Sequence, residues 1–238
     1  MKEHAQSIAA EVNPWRDLPH EAPYVLPIDQ EAISAFNRRA SPLHVIHPEI
    51  VPEPYLGDPS APVVLLNLNP GYVDEDLDVH IEPPFKAAAR ANLLHDGGEW
   101  PLYLLNPAFP SPGRNWWLRK LSALIAAVGN AKTVASRVFV AELHGYHSRR
   151  FHGRLRVPSQ RYTFDLVRAS IARGAILVMM RGRRVWMETL PELASANPVV
   201  LRNPQNPTIS PGNCPEAFGG IVERVCDSHL PTSPVLSE

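Results

Sequence analysis

Cysteine is scarce in this sequence: only Cys214 and Cys226 occur among 238 residues. They do not form a Cys-x-x-Cys pair, so neither a structural zinc site nor a cysteine-held iron–sulfur cluster is expected. Two cysteines also do not make the disulfide framework of a small secreted protein. We therefore expect no metal and no other cofactor, and a reducing, cytoplasmic environment.

Long apolar runs and an excess of charge are also missing. No apolar run reaches the roughly 18 residues that suggest a membrane span, and the first residues, Met1 to His4, lack the apolar core of a signal peptide. Lys and Arg (23) nearly balance Asp and Glu (24), which leaves a net charge of −1. No overall field attracts nucleic acid or an anionic membrane. Any nucleic-acid surface must be a local patch, and we expect a monomer without membrane contact.

Proline, in contrast, is abundant at 26 residues, which predicts many ordered but irregular loops. The hydrophobic content of 45% and charged content of 20% are typical of a globular protein. We predict a proline-rich N-terminal extension at 1–57 that packs on the domain, the domain itself at 58–227, and a C-terminal tail at 228–238.

The stretch around residues 63–72 predicts a buried strand that ends in a tight turn. Val63 to Leu66 is a continuous aliphatic run, typical of a strand covered on both faces. Pro70 and Gly71 then favour a turn. Polar residues directly after such a strand lie where open α/β sheets bind their ligands.

Further apolar runs alternate with helical patterns along the chain. Strands are predicted near 102–105, 138–141, 175–180 and 199–201, and the main helices near 30–39, 85–94, 116–125, 164–171, 185–193 and 216–226. This alternation predicts an α/β fold, with a parallel sheet between helices. The acidic run at 74–78 is interpreted as a solvated loop rather than a metal site.

Polar side chains follow several of these predicted strands. They are Asn67 and Asn69 after the first strand, Glu142 and His144 after the third, Arg181 after the fourth, and the segment from Asn203 to Ser210 after the fifth. The carboxyl ends of parallel strands meet at one edge of a sheet. We therefore predict a single cleft lined by amides, a carboxylate and imidazoles.

The segment Asn67-Leu68-Asn69-Pro70-Gly71 resembles the first motif of the uracil-DNA glycosylase superfamily. The apolar run at 175–182, which ends in a glycine, is similar to a later strand of that family. Residues 200–210, with Asn206-Pro207-Thr208-Ile209-Ser210, resemble its second motif. The motifs occur in the family's order, and the resemblance covers roughly residues 54–225.

This resemblance implies a three-layer α/β/α sandwich with a central, mainly parallel four-stranded sheet. It also implies a hydrolase that cleaves the N-glycosidic bond of a damaged or deaminated base, flipped out of single- or double-stranded DNA. The partner is then DNA, and the process is base-excision repair.

The resemblance further implies roles for single residues. Asn69 matches the position that orients the attacking water, and Asn206 matches the position that donates to the departing base. Asn203 is the alternative to Asn206, because the tract can be aligned in two ways. Phe85 matches an aromatic residue that stacks on the base, although it is equally interpreted as a buried helix residue. The remaining predicted pocket residues are Asn67, Leu68, Gly71, Tyr72 and His144.

Glu142 departs from the family pattern, in which many members have an asparagine that reads uracil. An ionised carboxylate can only accept hydrogen bonds, so it would favour a base edge rich in donors, such as that of a guanine-type base. Glu142 is alternatively the general base that activates water. A third interpretation is an ion pair with one of the arginines.

Arginines are concentrated after two of the predicted strands. Arg149 and Arg150 follow the third strand, and Arg181 and Arg183 follow the fourth, so all four are predicted to contact DNA phosphates. The alternative is a solvated surface. Two other functions stay open: a catalytically silent module that binds a nucleotide or nucleic acid, and a hydrolase of small-molecule N-glycosides, which would suit the nearly neutral charge.

Overall fold

The computed structural model describes residues 12–227. The polar N-terminus at Met1 to His4 and the tail at 228–238 therefore lie outside the described residues. A five-stranded sheet forms the centre of the fold, in the order β1-β3-β2-β4-β5. Its strands are β1 (Tyr55–Leu56), β2 (Val63–Asn67), β3 (Val138–Glu142), β4 (Ile176–Met179) and β5 (Val199–Val200).

The sheet is mainly parallel, which confirms the predicted fold class. Strand β2 runs parallel to β3 and β4, and β4 runs parallel to β5. Strand β1 is antiparallel to β3 and adds an edge to the four parallel strands that were predicted. Two residues in a proline-rich segment carry no recognisable strand pattern, so this fifth strand follows only from its pairing with β3.

The described residues form nine α-helices around the sheet, consistent with an α/β/α sandwich. They are α1 (Gln30–Asn37), α2 (Glu75–His80), α3 (Pro83–Leu93), α4 (Pro112–Val128), α5 (Ala131–Arg137), α6 (Gln160–Ala172), α7 (Arg183–Thr189), α8 (Leu193–Ala196) and α9 (Pro215–Cys226). Short 3-10 helices span Pro14–Asp17, Pro27–Asp29 and Tyr103–Leu105. Within residues 12–227, no helix has both the length and the apolar character to cross a membrane.

Strand β2 is the centre of the sheet, and all five of its residues are buried. Its aliphatic run packs between two parallel neighbours, as expected for a strand covered on both faces. The register pairs Val63 with Val138 and Asn67 with Glu142. The polar ends of β2 and β3 are therefore side by side at the carboxyl edge of the sheet.

The N-terminal extension packs closely on the rest of the chain from residue 12 onward. Trp15, Leu26 and Tyr55 are almost fully buried. The hydroxyl group of Tyr55 donates to the carbonyl oxygen of Leu93 in α3 at 2.7 Å. Because the extension also supplies β1, it contributes directly to the sheet as well as to the core; the domain boundary at residue 57 stays a prediction.

Two local predictions were wrong. The apolar run at 102–105 forms a 3-10 helix that contacts α4 and α5, not a strand. The acidic run at 74–78 forms the first part of α2, and Asp76 is buried there. Its Oδ2 accepts the backbone N–H of Val73 at 2.8 Å, an interaction that caps the chain as it turns back after β2.

Helix α4 shows how local sequence sets one wall of the site. Ser111 precedes it and accepts the N–H of Arg114, and Pro112 occupies the first turn, where its missing N–H costs nothing. Gly129 ends the helix with φ +80°. Between these ends, Trp117 and Leu121 turn toward the core, as the three- and four-residue apolar spacing predicted.

Candidate functional site

A cavity of about 360 Å³ lies at the carboxyl ends of β2 and β3. Most of the residues predicted from the sequence line it: Asn67, Leu68, Asn69, Gly71, Tyr72, Phe85, Glu142, Arg149, Arg150 and Arg181. They come from the turn after β2, from α3, from the end of β3 and the loop that follows it, and from the turn after β4. Residues at the ends of β2, β3 and β4 therefore meet at one cavity, as the alternating pattern predicted for these three strands.

Neither candidate of the second motif lies in the cavity wall. Asn206 is exposed, and its Oδ1 accepts from the Nζ of Lys120 at 2.6 Å. The Oδ1 of Asn203 accepts the backbone N–H groups of Gln205 and Asn206, which closes a turn. The predicted meeting of Asn206 with Asn69 and Glu142 is not found, because this turn holds the tract outside the cavity.

Two further predicted residues lie outside the wall. His144 is buried behind it and stacks on Phe151, with ring centroids 5.4 Å apart, and burial lowers its pKa to about 4. Glu142 is the last residue of β3 and lines the cavity, whereas His144 lies two residues later and is not part of the wall. Arg183 is exposed at the start of α7, two residues after Arg181, which lines the cavity.

Asn69 is held by its amide nitrogen. Nδ2 donates toward the Oγ and the carbonyl oxygen of Ser148 and toward the carbonyl oxygen of Pro70, at 3.0, 3.2 and 2.9 Å. Among the described residues, no hydrogen bond reaches its Oδ1. The loop after β3 thus fixes the amide plane and leaves the carbonyl oxygen as the group that Asn69 offers to a ligand or a water.

Asn67 and Glu142 form a pair across β2 and β3. The Nδ2 of Asn67 donates to Oε1 of Glu142 at 3.0 Å, and Trp186 Nε1 donates to the carbonyl oxygen of Asn67 at 2.6 Å. The other two oxygens, Oδ1 of Asn67 and Oε2 of Glu142, are buried without a partner among the described residues. Buried polar atoms are normally satisfied, so these two indicate a place for a ligand or an ordered water.

Burial favours the protonated, neutral form of Glu142. Burial raises the pKa of its carboxyl group to about 8, and the carboxyl group of Glu53 acts in the same direction. The hydrogen bond from Asn67 and the charge of Arg181 oppose this pKa shift but do not cancel it. Glu142 forms no ion pair within the described part of the chain, so the salt-bridge interpretation is wrong, and a neutral carboxyl group can also donate.

A second polar group in the same cavity was missed by the sequence reasoning. It consists of Glu53, Asp76, His80 and His147, all of them buried. The first three lie before β1 and in α2, and the last lies in the loop after β3. No local motif links these positions, and the acidic run at the start of α2 predicts a solvated loop. His147 could have been suspected only from its place after a strand.

Burial dominates the electrostatics of this second group. It raises the pKa of Glu53 to about 7, although Tyr103 donates a hydrogen bond to Oε1 of that carboxyl group. Burial also lowers the pKa values of His80 and His147, against the opposing effect of Asp76 on His147. Glu53, His80 and His147 each place one possible ligand atom within 4.8 Å of the others, so these three could hold a metal ion.

Aromatic rings form much of the remaining wall. Phe85 is 3% exposed, and its ring meets those of His80 and Tyr103 edge to face at 4.8 and 5.5 Å. It is therefore both a buried helix residue and a wall residue. Tyr72 stacks on His47 at 3.4 Å, and the guanidinium of Arg149, which also pairs with Asp74, lies 5.3 Å from the centre of the Tyr72 ring.

Trp116 lies at the rim, and two cationic side chains lie over its ring. The Nζ of Lys120 is 5.4 Å from its ring centre, and the guanidinium carbon of Arg181 is 5.7 Å away. Trp117 is 4% exposed and packs in the core, whereas Trp116 is only partly buried, and both line the cavity.

Comparison with known proteins adds no family to this description. No model of a protein family, no curated protein and no solved structure matches the chain. The function is therefore inferred from the residues of the cavity.

Proposed function

We propose that this protein hydrolyses the N-glycosidic bond of a nucleobase that is flipped out of DNA into the cavity. The observation that carries the proposal is that Asn69, Phe85 and the Asn67–Glu142 pair line one cavity. Its volume of about 360 Å³ lies within the roughly 300–1,000 Å³ of small-molecule sites. A water-positioning group, an aromatic face and a polar edge are the parts that recognition and hydrolysis of a flipped base require.

Asn69 supplies the position of the water. A neutral amide does not remove a proton, but its fixed Oδ1 accepts a hydrogen bond from a water and holds it in line with the sugar carbon. Ser148 stabilises this orientation by occupying Nδ2. This placement lowers the free energy of the transition state, in which positive charge develops on the sugar beside the positioned water.

The Asn67–Glu142 pair supplies the edge that reads the base. With its proton, Oε2 of Glu142 is a donor beside the acceptor Oδ1 of Asn67. That pattern complements a base edge with a carbonyl group next to an N–H, as in a uracil-type base. After ionisation both atoms are acceptors, which suits the two donors of a guanine-type edge.

The departing base carries negative charge and needs a donor. The resemblance assigned this role to Asn206, which is not in the wall. The proton of Glu142 is a donor that the cavity wall itself offers, and a carboxyl group with a pKa near neutral pH is suited to transfer it. As the glycosidic bond breaks, this proton passes to the base carbonyl oxygen that Glu142 contacts, so the base leaves neutral, and the proton that the attacking water loses returns to Glu142.

The rim supports DNA as the larger substrate. Lys120 and Arg181 both lie over the ring of Trp116 at the rim, and their charges suit the phosphates beside a flipped base. Arg149 and Arg150 add charge on the wall after β3. A monomer in the cytoplasm is the expectation that goes with this proposal.

The test is a cleavage assay on oligonucleotides that each carry one altered base, read out as abasic sites cut by alkali. We expect at least one lesion to be released by the wild type and not by Asn69→Ala. The matched control is Asn115→Ala, an exposed asparagine of α4 that does not line the cavity. If no lesion is released, the silent binding module becomes the better description of the cavity.

A hydrolase of small-molecule N-glycosides is the second candidate, because the net charge of −1 does not favour DNA. The salt dependence of substrate binding distinguishes these two candidate functions. Binding through phosphates weakens steeply as salt increases, whereas a small nucleoside should bind almost equally at low and high salt.

A further inference from the structure

Three buried side chains on one side of the cavity have the composition of a metal site. Glu53, His80 and His147 are 7, 5 and 3% exposed, and their possible ligand atoms lie within 4.8 Å of one another. In a tetrahedral zinc site, with bonds of about 2.1 Å, the ligand atoms are about 3.4 Å apart. Small side-chain rotations, moving each atom by about 1 Å, would bring these three around one ion.

His147 is placed like a metal-bound histidine. Its Nδ1 lies 2.7 Å from the carbonyl oxygen of Gly71, and its Nε2 lies 3.1 Å from that of Val51. A neutral imidazole has one N–H, and the shorter contact assigns it to Nδ1. The lone pair of Nε2 then faces a carbonyl oxygen, an unfavourable contact that a cation bound by both atoms would relieve. A ring N–H held by a backbone carbonyl is also the usual support of a histidine ligand.

His80 also has a buried ring nitrogen that needs a partner. Its Nδ1 is buried and has no partner within the described part of the chain. The ring packs against Phe85 and lies 5.4 Å from the ring of His147. An unsatisfied buried nitrogen costs free energy, and a coordinated ion would remove that cost.

Two carboxyl groups, those of Glu53 and Asp76, supply the remaining ligand and the negative charge of the proposed site. Tyr103 donates to Oε1 of Glu53 and thereby orients that carboxyl group. Asp76, held by the N–H of Val73, acts electrostatically on both Glu53 and His147. Two carboxylates balance a divalent cation. Two imidazoles and one carboxylate are the protein ligands of a catalytic type of zinc site, which keeps one position open.

We propose that Glu53, His80 and His147 bind a divalent transition-metal ion, of which zinc is the best match to the ligand types, with its open position toward the cavity. The sequence predicted no metal, because these residues lie far apart in the chain. A bound ion would present a polarised water to the ligand in the cavity. The metal site does not depend on the proposed N-glycosidic activity, since its ligands are separate from Asn69 and the Asn67–Glu142 pair.

The test begins with the full chain after treatment with a chelator. Zn²⁺ is titrated by calorimetry, and Co²⁺ is added separately as a spectroscopic probe. We expect one Zn²⁺ per chain and visible Co²⁺ absorption bands typical of nitrogen and oxygen ligands in a low-symmetry site. An absence of stoichiometric Zn²⁺ binding and of these bands in the wild type overturns the proposal.

Variants then locate the ion. Glu53→Gln keeps an acceptor for Tyr103, and His80→Ala removes the ring with the free nitrogen; each should weaken Zn²⁺ binding by at least about 10–100-fold. His20→Ala, an exposed histidine outside the cavity, is the matched control and should leave binding unchanged. Circular dichroism checks that each variant is folded. If folded Glu53→Gln and His80→Ala variants bind Zn²⁺ like the wild type, the ion lies elsewhere and the proposal is wrong.

Discussion

Asn67 donates a hydrogen bond from Nδ2 to Oε1 of Glu142, 3.0 Å away, at the carboxyl ends of two neighbouring parallel strands. The sheet register that pairs these residues also buries them, and one oxygen of each remains without a partner among the described residues. The pair therefore links the geometry of the sheet to the chemistry of the cavity, because a change in its protonation changes what the cavity can recognise.

The first prediction concerns stability and pH. The pKa of Glu142 rises from 4.5 to about 8 on folding, so the folded protein keeps a proton that the unfolded chain releases. The stability from this proton is fully present below pH 4.5 and is lost as pH rises toward 8. Urea unfolding of the wild type and Glu142→Gln from pH 5 to 9 should show their difference in free energy changing by a few kcal/mol.

Glu53 and the buried histidines also titrate, but they do so in both proteins. The difference between the wild type and Glu142→Gln therefore reports the titration of Glu142 together with its coupling to Glu53 and Arg181, the charged groups that act on it. Parallel stability curves would show that Glu142 has an ordinary pKa, and the donor role proposed for it would be lost.

The second prediction concerns the water-positioning residue. Asn69→Ala should lower turnover by about 100-fold with little effect on substrate binding, because the amide acts on a water in the transition state. Asn69→Asp should recover part of the rate, since a carboxylate also accepts from water. Ser148→Ala should cause a smaller loss, because Pro70 and the backbone of Ser148 still hold Nδ2.

Single-turnover rates and substrate affinities, measured for the same variants, separate these effects. Asn115→Ala serves as the unaffected reference. An equal loss for Ser148→Ala and Asn69→Ala would mean that the loop conformation matters, and not the carbonyl oxygen of Asn69.

The third prediction concerns the arginines of the wall. Replacing Arg149 and Arg150 by Ala should weaken DNA binding and reduce the slope of log affinity against log salt by about 2, if both contact phosphates. Arg149 also pairs with Asp74, so it must exchange that partner for a phosphate. Arg38→Ala, an exposed residue away from the cavity, should leave the slope unchanged. An unchanged slope in the double variant would assign this wall to a solvated surface.

The fourth prediction concerns Gly182, which follows β4 with φ +66°. A Cβ at this position would lie 2.2 Å from Cδ2 of Leu68, a cavity residue. Gly182→Ala should therefore destabilise the fold by more than the roughly 1 kcal/mol expected from a positive φ alone, and should displace Leu68.

Gly174→Ala is the matched control, because Gly174 has φ +72° and open space around the position of a Cβ. Thermal unfolding of both variants separates backbone strain from the clash with Leu68. Adding Leu68→Ala to Gly182→Ala should restore part of the stability. If Gly182→Ala and Gly174→Ala lose equal stability, the close contact with Leu68 does not contribute to the loss.

The sequence by itself determined the centre of this fold. The unbroken aliphatic run of β2 signals burial on both faces, and the polar residues after it had to emerge at the carboxyl edge. The same logic placed Glu142 at the same edge as Asn67, since parallel strands end together, whereas their direct pairing follows from the strand order. These features are readable because they depend on the local pattern and on the geometry common to parallel sheets.

Only the tertiary structure decided the rest of the site. Strand β1 exists through its pairing with β3, and the turn around Asn203 directs Asn206 away from the cavity. The protonation of Glu142 follows from burial by the whole fold, which no local pattern encodes. Glu53, His80 and His147 meet because three distant segments fold over one edge of the sheet, and such a meeting is a property of long-range packing.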